Sequence, residues 1–353
     1  MTRGIEIRLA RRPQGEPVED DFRTIEVDLA EPGPGRLLVR NVLMSVDPYM
    51  RVKMAELPSY PSWRIGDPLD GSAVGVVEAS TTDDLPVGTV VTHRYGWRDL
   101  ALVPSNEVRI IAPDPAIPLT AHLDVLGMTG LTAYVGLKDI ARLRAGEVVW
   151  VSGAAGAVGA ATGQMARLLG AARVVGSAGS AAKVQQLVDV LGYDAAFDYH
   201  VPDLSAALGQ VAPDGIDVYF DNVGDAHLEA ALNAIRPHGR VVVCGAINQY
   251  NALAETPGPR NLIAILTKRL RIEGFTVREH LDGYDAFIEQ ATGWMRDGRL
   301  VSTVTVVDGL DRAVHAFQQM LRGANHGKMI VRLADDPTSN RSDVSEQPAI
   351  SGF

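Results

Sequence analysis

The sequence of 353 residues contains a single cysteine, Cys244. One cysteine excludes an internal disulfide, and it also excludes a structural zinc site built from several cysteines. No apolar run approaches the roughly 20 residues that a membrane-spanning helix needs, and the N-terminal MTRGIEIRLARR lacks the apolar core of a signal peptide. We therefore expect a cytoplasmic protein without a membrane partner.

Positive charge is also scarce. The chain carries 33 Lys and Arg against 43 Asp and Glu, which gives a net charge of -10. An acidic chain is a poor partner for nucleic acid or for an anionic membrane surface, so any anionic ligand must be held by a local arrangement. The length is sufficient for two domains with full cores.

The most informative segment present is VVWVSGAAGAVG at residues 148–159. Its β-branched start, 148–151, predicts a strand buried on both faces of a parallel sheet. The residues from 158 to 168 carry apolar side chains at helical spacing, and Gly170 stands where such a helix would end. The segment therefore predicts a strand, a tight turn and a helix.

The turn is almost free of side chains, with glycines at 153, 156 and 159. These glycines let the backbone approach a pyrophosphate, while the free N–H groups and the positive dipole end of the helix attract it. The match to the dinucleotide motif GxGxxG is imperfect, because Ala154 holds the first position. The alternative is that the turn serves close packing of strand and helix alone.

Strand-like and helical runs alternate from residue 148 to residue 277, in about six pairs. This alternation predicts an α/β fold, a Rossmann-type doubly wound parallel sheet whose first strand is followed by the glycine-rich turn. Ligands of such sheets bind at the carboxyl ends of the strands. The segments after residues 222, 244 and 276 should therefore line one crevice.

The second strand of this sheet ends in GSAGS at residues 176–180, without the acidic residue that NAD sites place there. A missing carboxylate removes the repulsion that a 2′-phosphate would meet. Lys183 adds a positive charge, and Ser180 is placed to cap the next helix. The pattern favours NADP(H) over NAD, the alternative being that Lys183 is a solvated surface residue.

The first 125 residues show short strand-like segments separated by Pro and Gly turns, which predicts a mostly β domain. A similar pattern returns after residue 300, so we expect residues 301–334 to rejoin that domain and residues 126–300 to form the nucleotide-binding one. The polar segment 335–353 has no periodicity, and we expect a disordered tail.

Seven segments carry a family resemblance: VDPYMR at 46–51, LGMTGLTAY at 126–134, VSGAAGAVG at 151–159, AGSAAKV at 178–184, YFDNVG at 219–224, CGAINQYN at 244–251 and NHGKMIV at 325–331. Together they resemble the medium-chain dehydrogenase/reductase superfamily. The resemblance is closest to its zinc-independent branch of prostaglandin reductases, leukotriene B4 12-hydroxydehydrogenases and alkenal double-bond reductases.

This resemblance implies a GroES-like catalytic domain beside the Rossmann domain, a homodimer, and NADPH-dependent reduction of the C=C bond of α,β-unsaturated ketones or aldehydes. The small-molecule enone or enal would be the substrate. Two alternatives stay open: an NADPH:quinone oxidoreductase of the same superfamily, and a nucleotide-binding protein without catalysis.

Zinc alcohol dehydrogenases share the architecture, with a His-Glu pair before a GVV strand. This chain has Gly71 and Ser72 in the corresponding places before Gly75, so we expect no metal. The histidines show no metal-ligand spacing, and each is expected to lie at the surface or in satisfied packing. They stand at 93, 122, 200, 227, 238, 280, 315 and 326.

Without a metal, hydrogen bonds must stabilise the enolate that hydride addition produces. Tyr250, in a loop just beyond a strand end, is the first candidate for this donor or for the α-proton donor, since the resemblance places it beside the nicotinamide. The alternative is a tyrosine that packs on the cofactor. Tyr49 is the second candidate; in its alternative, Arg51 and Asp47 form a structural ion pair.

The remaining cofactor contacts are implied by the resemblance alone. Ala155, Gly156, Ala157 and Val158 would meet the pyrophosphate, Lys183 and Tyr199 the 2′-phosphate, and Asn222 the adenosine side. Cys244, Gly245, Ala246, Ile247, Tyr250, Phe275, Thr276 and Val277 would surround the nicotinamide half, with Met128 and Thr132 flanking it and Asn325 reaching the cofactor.

Overall fold

The computed structural model describes residues 2–58, 60–252 and 257–338. The strands are β1 (Thr2–Leu9), β2 (Phe22–Leu29), β3 (Arg36–Ser45), β4 (Ala73–Ser80), β5 (Val90–His93), β6 (Leu100–Pro104), β7 (Arg109–Ile110), β8 (Val148–Val151), β9 (Arg173–Ala178), β10 (Ala195–Asp198), β11 (Ile216–Asp221), β12 (Ile235–Val243), β13 (Arg271–Gly274), β14 (Val304–Asp308) and β15 (Lys328–Arg332). The helices are α1 (Tyr49–Met54), α2 (Met128–Val135), α3 (Ala157–Leu168), α4 (Ala181–Asp189), α5 (Leu204–Val211), α6 (Asp225–Ala234), α7 (Ile247–Tyr250), α8 (Ile263–Lys268), α9 (Tyr284–Arg296) and α10 (Ala313–Leu321).

Six parallel strands form one sheet in the order β10-β9-β8-β11-β12-β13. Numbered from β8, this is the order 3-2-1-4-5-6, so the predicted Rossmann fold is confirmed. The strand order reverses between β8 and β11, which places a crevice at their carboxyl ends. We refer to β8 to β13 with their helices as the Rossmann lobe.

The first strand of that sheet shows why these residues form it. Val149 and Val151 are buried on the face covered by α2, α3 and α9, while Trp150 is buried on the face covered by α5 and α6. A strand with apolar side chains on both faces is stable where helices cover the sheet on both sides. The sheet thus holds the glycine-rich turn on a rigid strand.

The remaining strands form the second unit, which we call the β lobe. β14, β15, β3, β4, β5 and β7 follow one another in a mostly antiparallel sheet, β6 also pairs with β3, and β1 with β2 forms a separate hairpin. β14 and β15 follow the Rossmann strands in the chain and join the β lobe through the pairing of β15 with β3. A mostly β second unit is confirmed.

The chain crosses between the lobes twice, and the two crossings touch. Ser302 on the way back donates a hydrogen bond from Oγ to Asp124 on the way out, at 2.7 Å. Lys328 N donates to the carbonyl of Thr303 at 2.8 Å, which begins β15 beside the same crossing. The crossings therefore form one connected hinge region.

The expected tail falls mainly at residues 339–353, which lie outside the described residues. Within the described ranges, no helix combines the length and apolar character needed to span a bilayer.

Candidate active site

The glycine-rich turn follows β8 and leads directly into α3. Gly153 has a positive φ of 57°, and Gly156 is the extended residue before the first helical residue, Ala157. A Cβ on Gly159 would lie 2.4 Å from the Gly153 carbonyl oxygen, so only glycine allows the helix to approach the turn this closely. The first backbone N–H groups of α3 have no carbonyl one turn earlier in the helix and face the crevice end.

Tyr193 packs against α3 just after this turn and holds it through a hydrogen bond. Its hydroxyl donates a hydrogen bond to the Gly159 carbonyl at 2.7 Å. Gly163 on α3 and Gly176 on β9 leave the space that its ring fills, since a Cβ on either residue would lie within 3 Å of that ring. The glycines of this region therefore allow close packing, and the turn they form carries no side chain large enough to cover the first N–H groups of α3.

The β lobe contributes to the same turn. Gly327 N donates to the carbonyl of Ala155 at 2.8 Å. Asn325, buried in the loop before β15, donates from its side chain to the Gly327 carbonyl at 2.6 Å and so fixes the loop that makes this contact. The structure therefore brings Asn325 and the turn together.

The end of β9 and the start of α4 form a second part of the crevice. Ser180 caps α4, its Oγ accepting a hydrogen bond from Lys183 N at 3.3 Å, and the first turn contains no acidic residue. Lys183 Nζ donates to the Gly323 carbonyl, and burial lowers its pKa. Tyr199 stands close by, because a Cβ on Gly179 would lie 2.6 Å from its hydroxyl oxygen. The ammonium group of Lys183, the capped start of α4 and the Tyr199 hydroxyl are groups that suit a 2′-phosphate.

Asp221, at the end of β11, binds the segments that follow β11 and β12, and it was not predicted. Its carboxylate accepts hydrogen bonds from Tyr219 Oη at 2.7 Å and from the N–H groups of Val223 and Gly224 at 2.9 and 2.8 Å. Its backbone carbonyl accepts from Cys244 N and Gly245 N, at 2.9 and 3.1 Å. Burial raises the pKa of this carboxyl group.

Asn222 follows Asp221 and closes the turn toward β8. Its side chain donates to the Ser152 carbonyl at 2.8 Å, and its N–H donates to Ser152 Oγ at 3.0 Å. The residues after β8, β11 and β12 thus meet at one edge of the sheet.

The proposed nicotinamide side is built around the segment after β12. Tyr250 ends the four-residue helix α7, where the sequence analysis expected a loop, and its hydroxyl accepts a hydrogen bond from Ala246 N at 3.4 Å. A Cβ on Gly245 would lie 3.1 Å from that hydroxyl. Burial raises the pKa of Tyr250 and of Cys244, the thiol to about 12. Both groups are therefore neutral near pH 7.

Other residues predicted for this side are placed less directly. The hydroxyl of Thr132 donates a hydrogen bond to the carbonyl of Met128 at 2.7 Å, within α2. Phe275 follows β13, and a Cβ on Gly136 would lie 3.3 Å from its ring. Ile247, Thr276 and Val277 follow the strand ends β12 and β13 at the same edge of the sheet.

Tyr49 begins α1 in the β lobe. Burial, with the negative charge of Asp47, raises the pKa of its hydroxyl far above the usual value. Asp47 accepts hydrogen bonds from Ser45 Oγ and from the buried Lys328 Nζ. The turn before α1 is therefore anchored to β15.

The alternative of an ion pair between Arg51 and Asp47 is wrong, because the two side chains have other partners. Arg51 Nε donates to Asn251 Oδ1 at 3.0 Å, and its guanidinium also donates to the Gly15 carbonyl. Asp47 precedes α1 and faces β15, whereas Arg51 lies within the helix and faces away toward α7. Arg51 thus connects α1 to the residue that follows Tyr250, across the two lobes.

Matches to known families agree with this geometry. Residues 6–111 match the family described as N-terminal domain of oxidoreductase, and residues 157–293 match the one described as zinc-binding dehydrogenase. The NADPH-dependent curcumin reductase of Escherichia coli (strain K12) is 38% identical, over 93% of this chain and 96% of the relative. The 2-alkenal reductase (NADP(+)-dependent) of Nicotiana tabacum is 38% identical, over 91% and 94%.

Among solved structures, CurA from Vibrio vulnificus in complex with NADPH is 36% identical to this chain. It superposes with a TM-score of 0.88, covering 94% of this chain and all of the other. The chain belongs to the zinc-independent branch of the medium-chain dehydrogenase/reductase family.

Gly71, where we expect no metal ligand, packs closely against Met50. A Cβ on Gly71 would lie 2.6 Å from Met50 Cε, so Met50 fills the space beside it. Within the described ranges, no group of three or more His, Cys, Asp or Glu side chains could hold a metal ion.

The expectation that every histidine is exposed or satisfied is wrong for two of them. In the described part of the chain, His93 Nε2 and both ring nitrogens of His227 are buried without hydrogen-bond partners. Burial lowers their pKa values to about 3 and about 4, so both rings are neutral. Their sequence neighbourhood gives no sign of this burial.

Sequence reasoning also missed a polar cluster of the β lobe near Tyr49. Lys53 and Trp63 Nε1 bind Asp70, the indole at 2.6 Å, and Arg94 lies 3.8 Å from the same carboxylate. Burial raises the pKa of Tyr60, and nearby positive charges, those of Arg278 and Arg94, oppose this rise. Tyr60 in turn contributes to the rise in the pKa of Tyr250. Tyr250 and Arg278 are far from the other residues in the sequence, and no motif connects them.

Proposed function

We propose that this NADP-dependent oxidoreductase uses NADPH to reduce the C=C bond of α,β-unsaturated ketones and aldehydes. The names of the curcumin and 2-alkenal reductases support this substrate class. The observation that carries the proposal is the position of Tyr250, whose buried hydroxyl lies beside Gly245 and Ala246 at the carboxyl end of β12.

The proposal assigns the cofactor contacts to the residues of the crevice. Ala155, Gly156, Ala157 and Val158 hold the pyrophosphate, while Ser180, Lys183 and Tyr199 hold the 2′-phosphate. Asn222 and Asn325 shape the crevice between them. The nicotinamide half lies among Met128, Thr132, Cys244, Gly245, Ala246, Ile247, Phe275, Thr276 and Val277. When bound, NADPH supplies the hydride that adds to the β-carbon of the enone.

Tyr250 then acts on the substrate oxygen. Hydride addition places negative charge on that oxygen, and a fixed hydroxyl donor stabilises the enolate as it forms. The raised pKa of Tyr250 keeps the phenol protonated at neutral pH, so it can donate a hydrogen bond to the enolate oxygen or, alternatively, transfer its proton to the α-carbon. Tyr49, from the β lobe, is the second candidate and closes the crevice over the substrate.

A substrate screen tests this proposal. Loss of NADPH absorbance is followed with medium-chain enals, cyclic enones, oxo-prostanoids and, in a parallel arm, quinones. We expect turnover with enals or enones and a reduced C=C bond in the product. Faster turnover with quinones would favour the quinone oxidoreductase, and tight NADPH binding without any turnover would favour a non-catalytic protein.

We also propose that the chain forms a homodimer through the β13 edge of the Rossmann sheet. Within the described residues, β13 is paired on one side alone. The neighbouring α8 exposes Ile263 and Leu266, with 65% and 73% of their surface accessible. An unpaired edge beside exposed apolar side chains is a favourable surface for a second copy.

A further inference from the structure

One loop of the β lobe, residues 323–327, contacts both anion-binding parts of the Rossmann crevice. Gly327 N binds the Ala155 carbonyl at 2.8 Å, and the Gly323 carbonyl accepts from Lys183 Nζ. Between these two contacts, His326 places its ring against α4. The loop therefore holds an imidazole close to the residues assigned to the 2′-phosphate.

The hydrogen bonds of His326 fix its ring. Nδ1 donates to the side-chain oxygen of Gln186 on α4 at 2.6 Å. The backbone is held by Thr305, whose hydroxyl accepts from His326 N at 2.9 Å and donates to its carbonyl at 3.0 Å. Because Nδ1 carries a proton in this arrangement, Nε2 is a bare acceptor in the neutral ring and a second donor in the protonated ring.

We propose that His326 is a second cationic ligand of the 2′-phosphate of NADP(H), supplied by the β lobe beside Lys183. This inference rests on the cofactor of the proposed function. It adds His326 to the cofactor-binding residues already assigned, which are those of the glycine-rich turn, the cap of α4 and Lys183. A phosphate dianion next to two cations gains charge-assisted hydrogen bonds that a ribose hydroxyl cannot replace.

The charges around His326 favour this role. Burial and the positive charge of Lys183 lower its pKa before a ligand binds. Lys183 is the charged group that acts on it within the described chain, and its hydrogen-bonding neighbours Gln186 and Thr305 are uncharged. A bound phosphate opposes both effects, because its negative charge favours imidazolium. Binding of the 2′-phosphate should therefore draw one proton onto His326.

Isothermal titration calorimetry of the full chain tests the contact without catalysis. The probes are adenosine 2′,5′-bisphosphate and adenosine 5′-monophosphate. We expect His326→Ala to weaken the bisphosphate about fivefold and to leave the monophosphate unchanged, as for a partly exposed ionic contact. His326→Arg should restore the preference. His315→Ala, which removes an exposed histidine on α10, is the matched control and should behave as the parent does.

Repeating the titration at pH 7 in buffers of different ionisation enthalpy measures the number of protons taken up on binding. The parent should take up protons on binding the bisphosphate, and His326→Ala should take up fewer. Unchanged affinity of His326→Ala for the bisphosphate, or an equal loss for both nucleotides, overturns the role of His326 alone. A parent that binds both nucleotides equally overturns the NADP assignment and the role of His326 with it.

Discussion

A few side chains determine the proposed ligand and chemistry of the crevice. Those that interact with near neighbours in the sequence were predictable from local patterns. Ser180 and Lys183 are three residues apart, the spacing of a helix cap and the first turn, so the sequence alone predicted their relation. Asp221 and Tyr60 were not predictable in the same way. The Asp221 carbonyl accepts from Cys244 N and Gly245 N, and the charge of Arg278 acts on Tyr60. These partners are distant in the sequence, as are the two residues of the Arg51–Asn251 bond.

Lys183→Ala should weaken NADPH binding about tenfold or more and leave NADH binding nearly unchanged, because only NADPH carries the 2′-phosphate that the ammonium group contacts. Cofactor affinities measured by fluorescence titration check this. Lys138→Ala, which removes an exposed lysine bound to Tyr134, is the control. Equal losses for the two cofactors would refute the 2′-phosphate site.

Tyr250→Phe should lower kcat for an enone about 100-fold while changing NADPH affinity little, because it removes a donor to the developing enolate and no cofactor phosphate contact. Steady-state kinetics and a separate binding titration check the two quantities. Tyr95→Phe, whose hydroxyl binds Glu107 at the surface, should match the parent. Parent-like kinetics of Tyr250→Phe would remove the donor role and leave the reductase assignment intact.

At the scale of helices and strands, prediction succeeded where the pattern was long and local. The strand predicted at 148–151 coincides with β8, and the helical pattern at 158–168 lies within α3. The hairpin of β1 and β2 was not assigned, since both strands carry many charged residues and are stabilised by pairing with each other. The short helices α1 and α7 contain too few residues for a helical period to be visible.

β12 shows a different reason for a missed boundary. The apolar run typical of a strand starts at Arg240, but β12 begins at Ile235, with a shift in its pairing to β11 between the two residues. His238 has a positive φ of 65° in this stretch. The polar sequence RPHG is typical of a turn. It belongs to β12 because the strand pairs with β11 on both sides of it.

The packing of α3 gives an element-scale prediction. A Cβ at position 163 would lie 2.1 Å from the Tyr193 ring, so Gly163→Ala should lower the free energy of unfolding by about 2 kcal/mol or more. Gly293→Ala, on α9 with open space around it, should instead raise it by about 0.5–1 kcal/mol. Urea denaturation measures both, and a stability of Gly163→Ala equal to the parent's would contradict the packing.

For the whole molecule, the composition of each part of the sequence predicted two units and the return of the chain to the first. The hinge between them was not predictable, because it depends on Asp124 and Ser302 meeting across the two crossings. Asp124 is fully buried, and this burial raises its pKa to about 7. Because this carboxyl group lies at the contact between the two crossings, we expect the stability of the chain to depend on pH.

The sign of this effect follows from proton linkage. The folded chain holds the Asp124 proton more tightly than the unfolded chain, in which aspartate has a pKa of about 4. The contribution to stability is complete below that value and is lost as the pH rises toward about 7. Asp124→Asn, which mimics the protonated group, should avoid the loss. Its Tm relative to the parent's should rise by a few degrees between pH 4 and 7 in calorimetry, and a constant difference would contradict this.

Assembly is the second prediction at this scale. Leu266→Asp places a charge on the exposed face of α8 and should convert the proposed dimer to a monomer, with cofactor binding retained. Sedimentation velocity measures the mass. Val87→Asp, at an equally accessible turn of the β lobe, should leave the dimer unchanged. A parent that sediments as a monomer would refute the proposed interface.

The bond from Gly327 to Ala155 has a consequence for biosynthesis. The turn that we propose to bind the pyrophosphate emerges from the ribosome before β15, and the other strands of the Rossmann sheet are translated in between. A nascent chain that has not yet reached β15 lacks this brace and the neighbouring Asn325. Coenzyme capture should therefore be a late, post-translational event, even though the nucleotide fold itself is finished earlier.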